Sequence, residues 1–164
     1  MSGRTFRMHS AWSLPFRRDA VFAALADADN YPAWWPQVHD ARRIDERSGS
    51  ARMQSFLPVS LRVRLTEELI DPAAGVLRAR LTGDLVGWSQ WEVSETGPAS
   101  ATADFSQVVE FAKGVPAPLL SLLRPALHLN HRYMMWSGRR GLTDRLAAAQ
   151  TPRPRQDLRR GRGE

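Results

Sequence analysis

Along residues 5–14 apolar and polar positions alternate, with Phe6, Met8, Ser10, Trp12 and Leu14 on one parity and Arg7 and His9 on the other. A period of two is that of a half-buried strand, and Pro15 ends it. From Arg17 to Ala26 the period changes. Val21, Phe22 and Leu25 fall at helical spacing, and Asp19 places a negative charge in the first turn, where the helix dipole favours it. The run Tyr31-Pro32-Ala33-Trp34-Trp35-Pro36 carries too much proline for a long helix and predicts one compact turn, with Pro32 at a first-turn position. Its two adjacent tryptophans require something to pack against.

Six further strands are predicted, over residues 38–47, 51–57, 61–70, 76–81, 85–94 and 102–111. Ser48-Gly49-Ser50, Pro58, residues 71–75 and Thr96-Gly97-Pro98 punctuate them with turn chemistry. Alternation is cleanest where Leu61, Val63, Leu65, Glu67 and Leu69 oppose Arg62, Arg64, Thr66 and Glu68. It recurs where Phe105, Gln107, Val109 and Phe111 oppose Asp104, Ser106, Val108 and Glu110. A sheet with one apolar face needs a cover, and residues 117–148 supply it. There Leu120, Leu123, Leu127, Met134 and Leu142 recur at helical spacing while Arg132, Arg139, Arg140 and Arg145 are left for solvent. Pro125 predicts a kink, or a preliminary turn before the main helix. The chain reads as an α+β domain: one strand, two short helices, an antiparallel meander of six strands and a long helix.

Composition narrows the chemistry. At 164 residues and 43% hydrophobic, the chain has the size of one domain with its own core. It contains no cysteine, which excludes disulfides, thiol nucleophiles, iron–sulfur clusters and thiolate zinc sites. No apolar run reaches roughly eighteen residues and no hydrophobic segment opens the chain, so a soluble, cytoplasmic protein without stable membrane insertion is expected. The net charge of +6 is carried almost wholly by arginine, Lys113 being the single lysine. Arg153, Arg155, Arg159, Arg160 and Arg162 lie in residues 149–164, against Asp157 and Glu164. This segment is expected to be a disordered basic tail following a domain over residues 5–148, with no specific nucleic-acid partner.

Trp12-Ser13-Leu14-Pro15, the helix Asp19-Ala20-Val21-Phe22-Ala23-Ala24-Leu25-Ala26-Asp27, the run Tyr31 to Val38 and the segment Gly83 to Trp91 occur in an order that resembles the START-domain and polyketide-cyclase superfamily. The resemblance covers residues 5–148. It implies a helix-grip fold, in which a curved seven-stranded antiparallel sheet wraps around a long C-terminal helix. It also implies a cavity between sheet and helix for a small hydrophobic or aromatic molecule, lipid-like or polyketide-like, and no cofactor. Relatives of this kind bind lipids, quinones or hormones or cyclise polyketides, and fold alone does not choose among them.

Candidate residues follow from parity. Trp91 shares parity with Leu85 and Val93 and points inward, which sends Trp88 to the outer face unless Gly87 introduces a bulge. Phe56, Leu81, Phe105 and Gln107 are further lining candidates, with Leu127 and Met134 from the helix. Asn130 and His131 are the polar groups on or beside the helix stripe, and His131 either binds a ligand polar group or is satisfied by Gln107. His128 lies three residues from His131, but no further ligand is arranged with them, so no metal site is predicted. Arg64 and Arg80 are expected at solvent. There is no nucleophile elbow, phosphate loop or His-Glu-x-x-His motif. The leading expectation is a ligand-binding protein. The alternative is a polyketide aromatase or cyclase using His131 as acid and base, and a third possibility is an interaction module built on Trp88 and the basic tail.

Overall fold

The computed structural model describes residues 5–112 and 116–151. β1 (Thr5–Leu14) leads into α1 (Arg18–Ala26) and a 3₁₀ helix (Ala28–Ala33). The meander follows as β2 (Val38–Arg43), β3 (Ser48–Gln54), β4 (Ser60–Asp71), β5 (Val76–Gly83), β6 (Leu85–Gly97) and β7 (Ser100–Phe111), and α2 (Ala117–Gln150) ends it. All seven strands form one sheet in the order β1-β7-β6-β5-β4-β3-β2, each pair antiparallel. β1 and β2 are therefore opposite edges, and α1 with the 3₁₀ helix carries the chain from one edge to the other. This is the helix-grip arrangement that the sequence resemblance implies.

The alternation of β1 is realised: Phe6, Trp12 and Leu14 are buried while Arg7 and His9 are exposed. Val21, Phe22 and Leu25 are the buried face of α1. Two apolar clusters occupy the concave face. One gathers Trp12, Trp34, Trp35, Trp91, Phe105 and Leu142; the other joins Phe6, Val63, Leu81, Leu85, Val109 and Leu120. Trp34 and Trp35 find their partner in α2 itself. A Cβ on Gly138 would lie 2.5 Å from the Trp35 ring, and one on Gly141 would lie 1.7 Å from the Trp34 carbonyl oxygen. Trp35 Nε1 donates to the Met134 carbonyl at 3.0 Å. The helix lies this close because two of its residues have no side chain.

Several expectations are corrected. Ser48-Gly49-Ser50 is strand rather than turn, and β2 ends at Arg43. The reversal lies at residues 44–47, where Asp45 accepts from Arg47 N at 3.0 Å and from Ser48 Oγ at 2.6 Å. An aspartate side chain that satisfies backbone and hydroxyl donors organises such a turn without glycine. A register shift between Glu67 and Leu69 pairs Ile70 with Leu77 and breaks the alternation expected along this strand, and Leu69 and Ile70 are both 45% exposed. α2 runs unbroken through Pro125 to Gln150, without a separate preliminary turn. Leu123 is 41% exposed and Met135, not Met134, is the buried methionine. Gly87 causes no register shift with either neighbouring strand. Its positive φ lets Val108 approach closely, since a Cβ there would meet the Val108 carbonyl oxygen at 2.0 Å. Residues 152–164, which hold the arginines of the basic tail, lie outside the described residues.

Candidate functional site

Between the two clusters lies a cavity of about 270 Å³ lined by members of both. β5, β6 and β7 form its floor through inward residues that include Leu81, Trp91, Phe105 and Gln107, and α2 roofs it with Leu127, Asn130, His131 and Met134. The floor follows from the period-two pattern of adjacent strands in register: Leu77 pairs with Trp91, and Trp91 pairs with Phe105. Trp91 lies with its centroid 4.7 Å from Trp12 and 4.8 Å from Phe105. Such an aromatic wall is rigid and presents flat apolar surface.

The polar groups on the roof are few and close together in the chain. The His131 ring stacks on Phe105, 5.8 Å between centroids and 26° between planes. Its Nε2 is buried without a protein partner, and so is Asn130 Oδ1. Asn130 Nδ2 reaches the Met134 sulfur at 3.7 Å. Gln107 lines the same space but does not satisfy His131. Burial, reinforced by the charge of nearby His128, lowers the His131 pKa from 6.5 to about 4, so the imidazole is neutral at physiological pH. A neutral imidazole and an amide can each donate to or accept from a bound hydroxyl or carbonyl.

Exposed residues in the lining mark where the cavity reaches the surface. At the β2–β3 hairpin these are Asp29, Arg43 and Arg47, with half-buried Glu67 beside them. Sequence reading missed this polar rim, although the parity of Glu67 pointed to it. Arg43 and Asp29 form an ion pair at 2.8 Å, and Arg47 donates to the backbone carbonyl of Glu67 at 3.2 Å. At the other end of β3 the lining includes Val59, 54% exposed, in the β3–β4 loop.

Not every sequence candidate enters the cavity. Phe56 is 51% exposed in the β3–β4 loop and meets Tyr133 of α2 edge-on at 5.8 Å, beside rather than within the main cavity. Trp88 points outward with the Arg78 guanidinium 4.2 Å above its ring. Arg80 is also outward and pairs with Glu68, while Arg64 pairs with Asp45. His9, on the outward parity of β1, is exposed, as is His39; neither is among the lining candidates.

The model of a family described as polyketide cyclase/dehydrase and lipid transport matches residues 10–149. No curated protein matches the sequence. Among solved structures, TTHA0849 from Thermus thermophilus is similar at 16% identity and TM-score 0.75, over 89% of this chain and 100% of that one. The Zhui aromatase/cyclase from Streptomyces sp. R1128 is similar at 12% identity and TM-score 0.74, over 90% and 99%. A START superfamily protein from Mycobacterium smegmatis follows at 16% identity and TM-score 0.65, over 88% and 99%. At these identities the likeness is one of fold.

Proposed function

The chain belongs to the polyketide cyclase/dehydrase and lipid-transport family, and on that premise we propose that it binds a neutral, largely apolar, ring-bearing molecule beneath α2. His131 and Asn130 hydrogen-bond the molecule's hydroxyl or carbonyl group. The observation that carries this reading is the pair of adjacent buried atoms on the roof, His131 Nε2 and Asn130 Oδ1, left without a partner where α2 faces the mainly apolar floor; Ser55 Oγ in the lining is a further such atom. A buried polar atom without a partner costs roughly 1–3 kcal/mol, and a ligand that supplies the partner recovers that cost on binding. Leu81, Trp91, Phe105, Leu127 and Met134 supply apolar contact, and Gln107 a further polar one. Neutrality of the ligand is favoured because the two guanidiniums at the rim, Arg43 and Arg47, are matched in number by the carboxylates of Asp29 and Glu67, with Arg43 ion-paired to Asp29.

The lowered pKa weighs for a hydrogen-bonding His131 over the acid–base role that a cyclase would ask of it. A group that titrates near 4 is a weak base and is almost wholly unprotonated at pH 7, whereas proton shuttling works best with a pKa near the working pH.

A matched pair of probes tests the assignment. Naphthalene and naphthol differ by one hydroxyl, and His131→Leu replaces the imidazole by an apolar group. The variant is expected to bind naphthol roughly three- to tenfold more weakly, the worth of one net hydrogen bond, and naphthalene unchanged. An equal loss for both probes would make His131 a packing residue.

A further inference from the structure

We propose that the outer face of the first half of α2, together with the β3–β4 loop, is a docking surface for an anionic lipid bilayer. Leu119, Leu122, Ala126, Leu129, Tyr133 and Trp136 recur at alternating spacings of three and four, which places them on one stripe about 26 Å long. The stripe lies opposite the inward line of Leu120, Leu127, His131 and Leu142, on the side where a helix covering a sheet ordinarily carries polar residues. Instead, Leu122 is 75% exposed, Leu129 58% and Trp136 55%. Phe56 of the β3–β4 loop extends the patch through its contact with Tyr133, and Val59, also exposed, lies three residues further along the same loop. Apolar side chains clustered in this way, rather than scattered singly, mark a surface that meets something apolar.

Charge selects the occupant. α2 carries Arg124, Arg132, Arg139, Arg140 and Arg145 and one acid, Asp144, which lies beyond the stripe. Arg132 and Arg139 run alongside it, and the Arg140 guanidinium sits over the Trp136 ring at 5.6 Å. A second copy would set the same positive charges against these, whereas anionic headgroups complement them. Tyrosine and tryptophan next to arginine suit the headgroup level, with leucines below it. No described helix is long and apolar enough to cross a membrane, so the contact is peripheral. The orientation is useful because the β3–β4 loop carries Phe56 against the stripe and Val59 in the cavity lining, so docking here brings the bilayer to a loop that also borders the cavity. The surface goes beyond the ligand reading and stands whichever molecule the cavity holds.

The test is flotation of the full chain with phosphatidylcholine vesicles and with mixed phosphatidylcholine–phosphatidylglycerol vesicles, before and after the paired changes Leu122→Asp and Leu129→Asp. Both positions are exposed, so folding and naphthol binding are expected to remain as in the unchanged chain, which separates failure of this surface from failure of the cavity. The chain is expected to float with the anionic vesicles, and the paired change to weaken that association by roughly tenfold or more, given the apolar area of two leucines. Association that survives the change would place the contact in the arginine-rich residues 153–162 and overturn the proposal. So would absence of vesicle binding, or an effect of the change on self-association or on binding of an acidic protein while vesicle binding is unaltered.

Discussion

His131 is the side chain on which the proposed site rests most. Stacked on Phe105, with Nε2 unpartnered, it is held neutral because charging it would place an ion in an apolar enclosure beside His128. The stability consequence has a definite sign. Above pH 6.5 the ring is neutral in both folded and unfolded chains, and no penalty arises. Between 6.5 and about 4 the unfolded chain takes up a proton that the folded chain refuses, so stability falls with falling pH and levels off below about 4. The whole effect is about 3 kcal/mol. Urea unfolding at pH 7 and at pH 4 is expected to show a smaller acid loss for His131→Leu than for the unchanged chain, by that order. Equal losses would mean that His131 is charged in the fold. Trp91, Phe105, Gln107 and His131 were legible from parity and helical spacing because an inward position in a regular element needs no knowledge of its neighbours. Phe56 was not, because a loop has no parity to read. Arg43, Arg47 and Asp29 meet only through the hairpin and the 3₁₀ helix, so their grouping at the rim is a tertiary fact.

At the scale of elements, the seating of α2 depends on the absence of two side chains. Gly138 and Gly141 allow the helix to rest on Trp34 and Trp35. Alanine is the better helix former by about 1 kcal/mol, so Gly141→Ala would stabilise an isolated helix. Here its methyl would meet a backbone oxygen that cannot turn aside, and overpacking of this kind costs roughly 1–3 kcal/mol. Urea unfolding is expected to show a net loss of stability and a weaker hold on naphthol; a gain would show that α2 is not seated in this way. The sequence places α2 correctly as a cover and predicts a short turn at the tryptophans, yet gives no sign that the two meet through glycines. The bulge between Glu67 and Leu69 and the turn organised by Asp45 were hidden for a related reason. A strand read one residue at a time looks continuous until its partner's register is known.

For the molecule as a whole, a sheet bent around one helix leaves space that its side chains do not fill, and residues of both apolar clusters line that space. Pattern gave the order of elements and the resemblance gave the helix-grip architecture, while the placing of β1 and β2 at opposite edges, which leaves α2 one concave face to cover, came from the structure. The cavity is a property of several elements together, which no single element encodes. Ala79 faces inward on β5 and lines the cavity, so Ala79→Phe fills it from the floor without altering the roof. The most direct measurement is a calorimetric titration of naphthol into the unchanged chain and into Ala79→Phe, with thermal melting to verify that both are folded. Saturable binding of one molecule per chain, abolished by the filled cavity, is the predicted result. Binding of equal strength in both proteins, or none in the unchanged chain, would contradict the assignment of the cavity beneath α2 as the ligand site.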